Sequence, residues 1–307
     1  MSESKSGFFD LQLNGCYGVD FNSDDLTGEG LAAACHLLRL NGVDRFLLTI
    51  ITDEVELMCR RIRQVVLFRC QSALVTRMIA GIHVEGPFIS PQPGYVGTHR
   101  PEHVKEASLE VSQKIFEAGN GIIRLFTLAP ECDKEAFITK WLVKQNVCVS
   151  AGHCNPSIDQ LQEAIDNGLS IFTHLGNGCP RTLERHDNII NRVLSFADHL
   201  WITFIADGVH VPFFTLRNYL NLVGMRRAIV VSDGISASGL GPGRYELAGQ
   251  EIVVDNLHAT WSTDKSHLMG SAMTMAEAYQ KLRKEVGLSE ADAHSLTCDN
   301  PRIALGL

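Results

Sequence analysis

The sequence has no apolar run as long as the ~18–20 residues that a membrane-spanning helix needs, and it has no long stripe of Lys and Arg. None of its nine cysteines forms a CxxC pair, and its first residues, MSESKSGFF, lack the basic and then apolar profile of a signal peptide. These absences argue against a membrane protein, a nucleic-acid-binding protein and a disulfide-stabilised secreted domain. We expect a cytoplasmic protein whose thiols are reduced.

The composition is that of an ordinary globular protein. Among the 307 residues, 45% are hydrophobic and 20% are charged, which excludes intrinsic disorder and fibrous repeats. Acidic residues outnumber basic ones by 35 to 27, so the formal net charge is −8. An acidic chain has no general attraction for nucleic acid or for an anionic membrane surface. We therefore expect neither of these as a partner.

Short runs rich in β-branched residues recur along the chain, and most are followed by a polar turn and a helical pattern. Strands that are buried on both faces read as continuous apolar runs, as these do, so a parallel sheet is predicted. The predicted strands are 8–14, 43–51, 78–86, 122–130, 147–153, 170–176, 201–207 and 228–234, and the predicted helices are 31–40, 54–74, 101–118, 156–167 and 213–223.

Eight strand–helix units predict a (β/α)₈ barrel, a fold of ~250 residues in its typical form. An open doubly wound sheet is the alternative, but no GxGxxG motif opens the first strand–helix turn. Segment 244–261 is predicted to be a β-hairpin inserted after the eighth strand, and 269–286 and 289–298 are predicted closing helices. No linker rich in Pro, Ser and Gly divides the chain, so one domain over 1–307 is predicted.

Several side chains capable of chemistry fall near the ends of the predicted strands. In a (β/α)₈ barrel the carboxyl ends of the strands form the catalytic rim, so these side chains should converge. Any one of them alone is more often a structural residue, and only the convergence favours a function. The residues concerned are Gln12, Asn14, Glu85, His153, His174, Asp207, His210 and Asp233.

The chemistry of this set indicates metal-assisted hydrolysis of an amide or an ester. Two neutral imidazoles, from His153 and His174, and the carboxylate of Glu85 match the three-ligand set of a catalytic zinc-type site. Such a site leaves one position for a water molecule, whose pKa the metal lowers. Asp233 is then available as a general base towards that water.

A set of motifs runs through nearly the whole chain in a fixed order. They are DLQLNG (10–15), HVEGPFISP (83–91), GYVGTH (94–99), SAGHCN (150–155), FTHLGN (172–177), ADGVHV (206–211), VSDG (231–234), MGSAMTM (269–275) and NPRIALGL (300–307). Together they resemble the N-acetylglucosamine-6-phosphate deacetylases, a family of the amidohydrolase superfamily with a (β/α)₈ barrel. The resemblance implies removal of the acetyl group from an amino sugar phosphate, a small-molecule partner, and a homodimer.

The resemblance also implies roles for individual residues. Glu85, His153 and His174 would hold one divalent metal ion per subunit, with Zn expected and Fe, Co or Mn as alternatives. Asp233 would be the catalytic acid/base, and His99 would polarise the acetyl carbonyl.

Substrate binding is expected from a second group of residues. By the resemblance, His210 together with Asn177 and Gly178 would hold the sugar phosphate. Gln12 and Asn14 occupy positions where many amidohydrolases carry two metal-binding histidines, and amides are poor zinc ligands, so a mononuclear site is expected. In the loop 181–192 the arginines are further candidates for phosphate binding, because their planar guanidinium suits that group; of these, Arg185 is chosen as the candidate, with Arg181 and Arg192 as alternatives.

The chain also departs from the family pattern. The small β-sandwich domain usual in the family is expected to be absent or truncated, because few residues precede the first predicted strand and little follows the last predicted helix. The loop 176–192 differs from the family pattern and is richer in charge. Two alternatives therefore stay open: a deacylase of another N-acyl amino sugar or acyl amide, and a non-catalytic sugar-phosphate binder.

Overall fold

A computed structural model describes residues 6–307. Within this range the strands, in chain order, are β1 (Phe8–Leu13), β2 (Gly15–Cys16), β3 (Val19–Asp20), β4 (Val43–Ile51), β5 (Ile79–Glu85), β6 (Ile123–Leu128), β7 (Cys148–Ala151), β8 (Leu169–Phe172), β9 (Trp201–Ile205), β10 (Ala228–Val231), β11 (Gly243–Leu247), β12 (Gln250–Val254) and β13 (Thr260–Ser262).

The helices of the same range surround these strands. They are α1 (Gly28–Leu40), α2 (Val55–Gln71), α3 (Ala73–Met78), α4 (Leu109–Ala118), α5 (Phe137–Lys144), α6 (Ile158–Asp166), α7 (Ile189–Leu194), α8 (Phe213–Val223), α9 (Met275–Lys281), α10 (Glu290–His294) and α11 (Asn300–Ala304). Short 3₁₀ turns occur at Pro101–His103, Pro130–Cys132 and Lys134–Ala136, and π-helical turns at Leu282–Val286 and Ser295–Asp299. No helix in the described residues is both long enough and apolar enough to cross a bilayer.

The predicted (β/α)₈ barrel is confirmed. Eight strands form one parallel sheet in the order β1-β4-β5-β6-β7-β8-β9-β10. The two end strands approach each other through a parallel bridge between Leu13 and Gly234, where the N–H of Asn14 also donates to Gly234 O at 2.7 Å. All eight predicted strands are present, each within a few residues of its predicted limits.

The strands form because their apolar runs are buried on both faces. Every residue of β10 is buried, and so are the last six of β4. The helices cover the sheet with one apolar face each, and their starts follow the usual capping rules. Helix α6 begins with a capping box, in which Ser157 Oγ accepts from the N–H of Gln160 and the Gln160 side chain accepts from the N–H of Ser157.

The predicted hairpin after the eighth strand is present and has a third strand. β11, β12 and β13 form an antiparallel sheet with its own small apolar cluster, which includes Leu247, Ile252 and Met269. The segment that follows β13 returns to the barrel at Ser271, which bridges to Gly234. This sheet therefore stands beside the carboxyl end of β10.

Three predicted helices differ from the structure. The predicted closing helix 269–286 begins only at Met275, because the chain before it is held against the barrel, where Ser271 N donates to Asp233 O at 2.9 Å. The predicted helix 101–118 is wrong over its first half, because the chain at 104–108 bonds to distant segments: Lys105 N donates to Pro87 O at 2.9 Å and Ala107 N to Cys132 O at 3.2 Å. The predicted helix 54–74 divides at Ser72, which ends α2 in an extended conformation and caps α3 with its side chain.

Candidate active site

The carboxyl ends of four barrel strands bring the predicted reactive residues together. Glu85 is the last residue of β5, whereas His153, His174 and Asp233 each follow two residues after the end of β7, β8 and β10. All four line one cavity of about 620 Å³ at this end of the barrel. Catalytic residues of (β/α)₈ enzymes occupy this position.

Three of these residues have an unusual backbone conformation. The φ angles of His153, His174 and Asp233 are 51°, 33° and 48°, in the left-handed region that residues with side chains seldom adopt. Hydrogen bonds to their carbonyls hold them there: Ser90 N donates to His153 O at 2.8 Å, and Ser271 N donates to Asp233 O at 2.9 Å. Backbone strain of this kind concentrates at functional sites, where the surrounding structure maintains it.

Glu85 is the centre of a buried cluster of imidazoles. Its Oε1 lies 3.1 Å from Nε2 of His174 and 3.3 Å from Nε2 of His153, and all three side chains are buried. The ring centroids of His153 and His174 are 4.9 Å apart, and those of His153 and His99 are 4.4 Å apart. Burial raises the pKa of Glu85, but its contacts with His153 and His174 outweigh this and hold the pKa well below its ordinary value.

This cluster has the composition of a divalent metal site. Ligand atoms of Glu85, His99 and His153 lie within 4.8 Å of one another, and His174 contacts the same carboxylate oxygen. The Nδ1 of His153 donates to Tyr95 O at 2.8 Å, so its Nε2 carries the free lone pair. The Nδ1 of His174 is buried and has no hydrogen-bond partner among the described residues. The structure thus brings together the expected ligands and adds His99 as a fourth candidate.

His99 is held as a neutral imidazole with a defined tautomer. Its Nδ1 accepts a hydrogen bond from the N–H of Thr52 at 3.3 Å, which leaves Nε2 to carry the proton. Burial, and to a smaller extent the nearby His153, lowers the pKa of His99 to about 3. A neutral imidazole that points an N–H into the cavity can donate a hydrogen bond to a substrate oxygen.

Asp233 is a half-buried carboxyl group whose proton affinity is increased. Burial raises its pKa to about 7, and the negative charge of Glu85 acts in the same direction. The side-chain N–H of Asn14 donates to Asp233 Oδ1 at 2.9 Å. A carboxyl group of this pKa can both accept and return a proton at neutral pH.

His210 and Asp207 form a pair at the edge of the cavity. His210 Nδ1 lies 2.6 Å from Asp207 Oδ2, and the other oxygen of Asp207 accepts from the backbone N–H of Val209 and His210. Burial opposes the charge of His210, but Asp207 raises its pKa above the ordinary value. A raised pKa favours the protonated form of His210, whose positive charge suits an anionic group.

The predicted substrate residues Asn177 and Gly178 also line the cavity. Gly178 has a φ of 59°, and a Cβ at this position would lie 2.9 Å from Nδ1 of His153. The loop after β8 therefore packs directly against an imidazole of the cluster, and only glycine allows that approach.

Gln12 is not on the cavity wall, which differs from its predicted role in substrate binding. It is only 1% exposed, and its Nε2 donates to Glu85 Oε1 at 2.9 Å. Its amide oxygen accepts from Thr173 Oγ1 at 2.6 Å. Residues two apart on a strand share one face, so Gln12 and Asn14 differ in depth: Gln12 reaches the carboxylate from inside the barrel, whereas Asn14, just beyond the end of β1, lies at the rim.

The structure places Arg181, and not Arg185, along the cavity. Arg185 is exposed in the loop before α7, and Arg192 is paired with Asp187. The guanidinium carbon of Arg181 lies 5.9 Å from the ring centroid of Trp261 in β13, which also lines the cavity. Trp261 was not predicted as a site residue, because the sequence pattern of the hairpin does not indicate which of its residues face the barrel.

Known proteins resemble the chain over almost its whole length. No family model matches it. The N-acetylglucosamine-6-phosphate deacetylase of Danio rerio is 30% identical over 312 residues, which cover 98% of this chain and 75% of that protein. The enzyme of the same name from Homo sapiens is 29% identical over 310 residues, covering 98% and 74%.

Solved structures give the same result. A mutant N-acetyl-D-glucosamine-6-phosphate deacetylase from Mycobacterium smegmatis, in complex with N-acetyl-D-glucosamine-6-phosphate, has a TM-score of 0.87 and 28% identity, covering 98% of this chain and 77% of that one. The N-acetylglucosamine-6-phosphate deacetylase from Pasteurella multocida also has a TM-score of 0.87 and 28% identity, with 98% and 76% covered.

Proposed function

The chain belongs to the N-acetylglucosamine-6-phosphate deacetylase family, and we propose that it hydrolyses N-acetylglucosamine 6-phosphate to glucosamine 6-phosphate and acetate. The observation that carries this proposal is the presence of Asp233 and His99 in the same cavity as the Glu85–His153–His174 cluster. Hydrolysis of an unactivated amide needs a proton acceptor, a donor towards the carbonyl oxygen and an activated water.

The cluster would hold one divalent ion per subunit through Glu85, His153 and His174. Zn²⁺ is the preferred ion, with Fe²⁺, Co²⁺ or Mn²⁺ as alternatives, because a mixed imidazole and carboxylate set accepts several first-row metals. When bound, such an ion supplies a water molecule with a pKa lowered towards ~7. The hydrogen bond of His153 Nδ1 to Tyr95 O supports the ligand role, since it fixes the tautomer that leaves Nε2 free.

Asp233 would move the proton. Its carboxylate accepts a proton from the attacking water and returns it to the nitrogen of the departing amine, which could not leave as an anion. Its raised pKa, about 7, suits both steps. The hydrogen bond from Asn14 fixes Oδ1, so that the other oxygen is free to exchange the proton.

His99 would stabilise the charge that develops on the acetyl oxygen. Its Nε2–H donates into the cavity because Thr52 occupies Nδ1. The low pKa of His99 keeps the ring in its neutral form. The ring therefore acts as a hydrogen-bond donor to the acetyl oxygen and not as a general acid. At the other end of the substrate, His210 and the backbone at Asn177 and Gly178 would bind the phosphate.

An acetate-release assay tests this proposal directly. Purified protein supplied with Zn²⁺, Fe²⁺, Co²⁺ or Mn²⁺ is given N-acetylglucosamine 6-phosphate, N-acetylglucosamine or an N-acyl analogue. We expect acetate release from the phosphorylated substrate, loss of activity with a chelator, and recovery on adding metal. A faster reaction with another acyl amide would show that this amide is the substrate. If no acetate is released with any of the metals, the proposal is refuted.

The homodimer and the cytoplasmic location stay predictions of the sequence. Light scattering on the purified protein would report its mass relative to the 33.8 kDa chain.

A further inference from the structure

The unfavourable backbone conformation of Asp233 is stabilised by hydrogen bonds from residues outside the cavity. Its φ of 48° is unfavourable for a residue with a side chain. This conformation lies immediately beyond β10, where the strand leaves the barrel, and it determines where the carboxylate stands. Ser271 N holds the carbonyl of Asp233 from one side. On the other side, the hydroxyl of Ser232, the preceding residue, bonds to the N–H of Gly234.

Ser232 binds the chain on both sides of Asp233. It is only 1% exposed. Its Oγ accepts a hydrogen bond from the N–H of Gly234 at 3.0 Å, so the side chain before Asp233 is bonded to the backbone after it. The hydroxyl donates in turn to a carboxylate oxygen of Asp10, and the N–H of Ser232 donates to Asp10 Oδ1 at 3.1 Å. The conformation of Asp233 is thus tied to a side chain of β1.

Asp10 is a buried carboxylate with no role at the cavity wall. It is 1% exposed, it does not line the cavity, and no Arg or Lys in residues 6–307 pairs with it. In the part of the chain that the structure describes, its one other donor besides Ser232 is the N–H of Gln12, at 3.2 Å. Burying a carboxylate without a cation is costly, and the hydrogen bonds from Ser232, directly after β10, offset part of that cost.

The location of this contact is the seam of the barrel. β1 and β10 are the two end strands of the sheet, and backbone pairing between them is limited to the bridge of Leu13 with Gly234 and its neighbouring hydrogen bonds. The Asp10–Ser232 contact is therefore a side-chain link that joins β1 to the chain directly after β10. Asn14, which binds the Asp233 carboxylate, projects from the same side of β1, four residues beyond Asp10.

We propose that Asp10 and Ser232 are positioning residues that hold Asp233 in its left-handed conformation, and so place its carboxylate against Asn14 and the metal-binding cluster. The inference rests on the proposed function, in which Asp233 transfers the proton. Residues of β1 and of the position after it would then support Asp233 in two ways. Asp10 holds the backbone of Asp233 through Ser232, and Asn14 holds its carboxylate directly.

The opposing explanation is that this contact only closes the barrel. The two explanations differ for Ser232→Ala, which removes the hydroxyl that spans Asp233 but leaves the backbone pairing of the seam intact. A positioning role predicts a kcat lower by ~10- to 100-fold, because displacement of a reacting group by ~1 Å costs about that much. KM within twofold of wild type and an unchanged metal content should accompany it.

Ser238→Ala is the matched control. Ser238 is equally buried, lies in the same loop after β10, and donates to Met273 O at 2.9 Å, but it does not bind the residues next to Asp233. Its loss should lower the melting temperature to a similar extent and leave kcat unchanged. Equal kcat values for the two variants would overturn the proposal.

Two further measurements keep the proposal testable. A crystal structure of Ser232→Ala should show Asp233 out of the left-handed region or its 2.9 Å contact with Asn14 broken, and an unmoved Asp233 would overturn the positioning role even if the wild type releases no acetate. If Ser232→Ala does not fold, Asp10→Asn carries the test, because its NH₂ group replaces the oxygen that accepts from Ser232. We expect a several-fold lower kcat with unchanged KM, and wild-type kcat would refute the proposal.

Discussion

The side-chain nitrogen of Gln12 lies 2.9 Å from Oε1 of Glu85, the oxygen that also contacts His153 and His174. Gln12 thereby holds the carboxylate from within the barrel, and Thr173 fixes the amide by donating to its oxygen. Partners of this kind orient metal ligands and tune their affinity.

Gln12→Leu is expected to weaken metal binding by ~10- to 100-fold, because Glu85 loses the donor that orients it. Competition with a chelator measures the change. Gln64→Leu is the control, since Gln64 donates to the backbone oxygen of Leu26 away from the site, and its metal affinity should be that of the wild type. Unchanged affinity in Gln12→Leu would show that the contact has no effect on the metal.

The acidic limb of the pH profile should follow Asp233. Only its carboxylate can accept a proton, and its pKa is raised to about 7, so kcat/KM should fall ~tenfold for each pH unit below that value. Asp233→Asn should retain metal, lose kcat by ~10²–10⁴, and lose this limb. Asp198→Asn, at an exposed position, should behave as wild type. A limb that persists in Asp233→Asn would assign the titration to another group.

Metal content distinguishes His174 from His99. Both imidazoles belong to the group around Glu85. The Nδ1 of His99, however, accepts a hydrogen bond from the N–H of Thr52, so its Nε2 carries the proton and has no lone pair for a metal. We expect His174→Ala to lose the metal, whereas His99→Ala keeps it and has a lower kcat. Elemental analysis by mass spectrometry gives the stoichiometry. The reverse result would place His99 in the ligand set instead of His174.

Arg181 and Arg185 form a matched pair for testing phosphate recognition. Both arginines are exposed, but Arg181 lines the cavity beside Trp261 and Arg185, in the same loop, does not. Arg181→Gln should raise KM for the phosphorylated substrate about tenfold and leave the reaction of the unphosphorylated sugar unchanged. Arg185→Gln should change neither. Equal effects of the two substitutions would exclude a specific contact from Arg181.

The buried Asp10 should make stability depend on pH. Burial raises its pKa to about 6, although hydrogen bonds from Ser232 and Gln12 oppose the shift. The folded protein then binds more protons than the unfolded chain between about pH 4 and 6, so this group reduces stability as the pH rises, by up to ~3 kcal/mol. Asp10→Asn removes that dependence. The difference in unfolding free energy between variant and wild type, measured in urea, should favour the variant more at pH 7 than at pH 4.5.

The sequence was sufficient for the barrel because each strand is a continuous apolar run. Such runs are specified locally, and parallel strands place all their carboxyl ends on one rim. Glu85, His153, His174 and Asp233 could therefore be expected to converge before any contact was known.

The helix at 101–118 could not be corrected from sequence, because its first half is held extended by Pro87 and Cys132 from distant parts of the chain. Which loop arginine reaches the cavity was equally open. Arg181 and Arg185 are chemically identical, and only the packing of Trp261 beside one of them separates the two.

The sequence by itself determined the eight barrel strands, the residue types at the rim and the class of chemistry, because these follow from local patterns of burial and from side-chain chemistry. Only the tertiary structure decided that Gln12 supports Glu85 from inside the barrel and that Asp10 reaches Ser232 across the seam. Those contacts join residues 73 and 222 positions apart, and no local pattern encodes which distant group a buried side chain will meet.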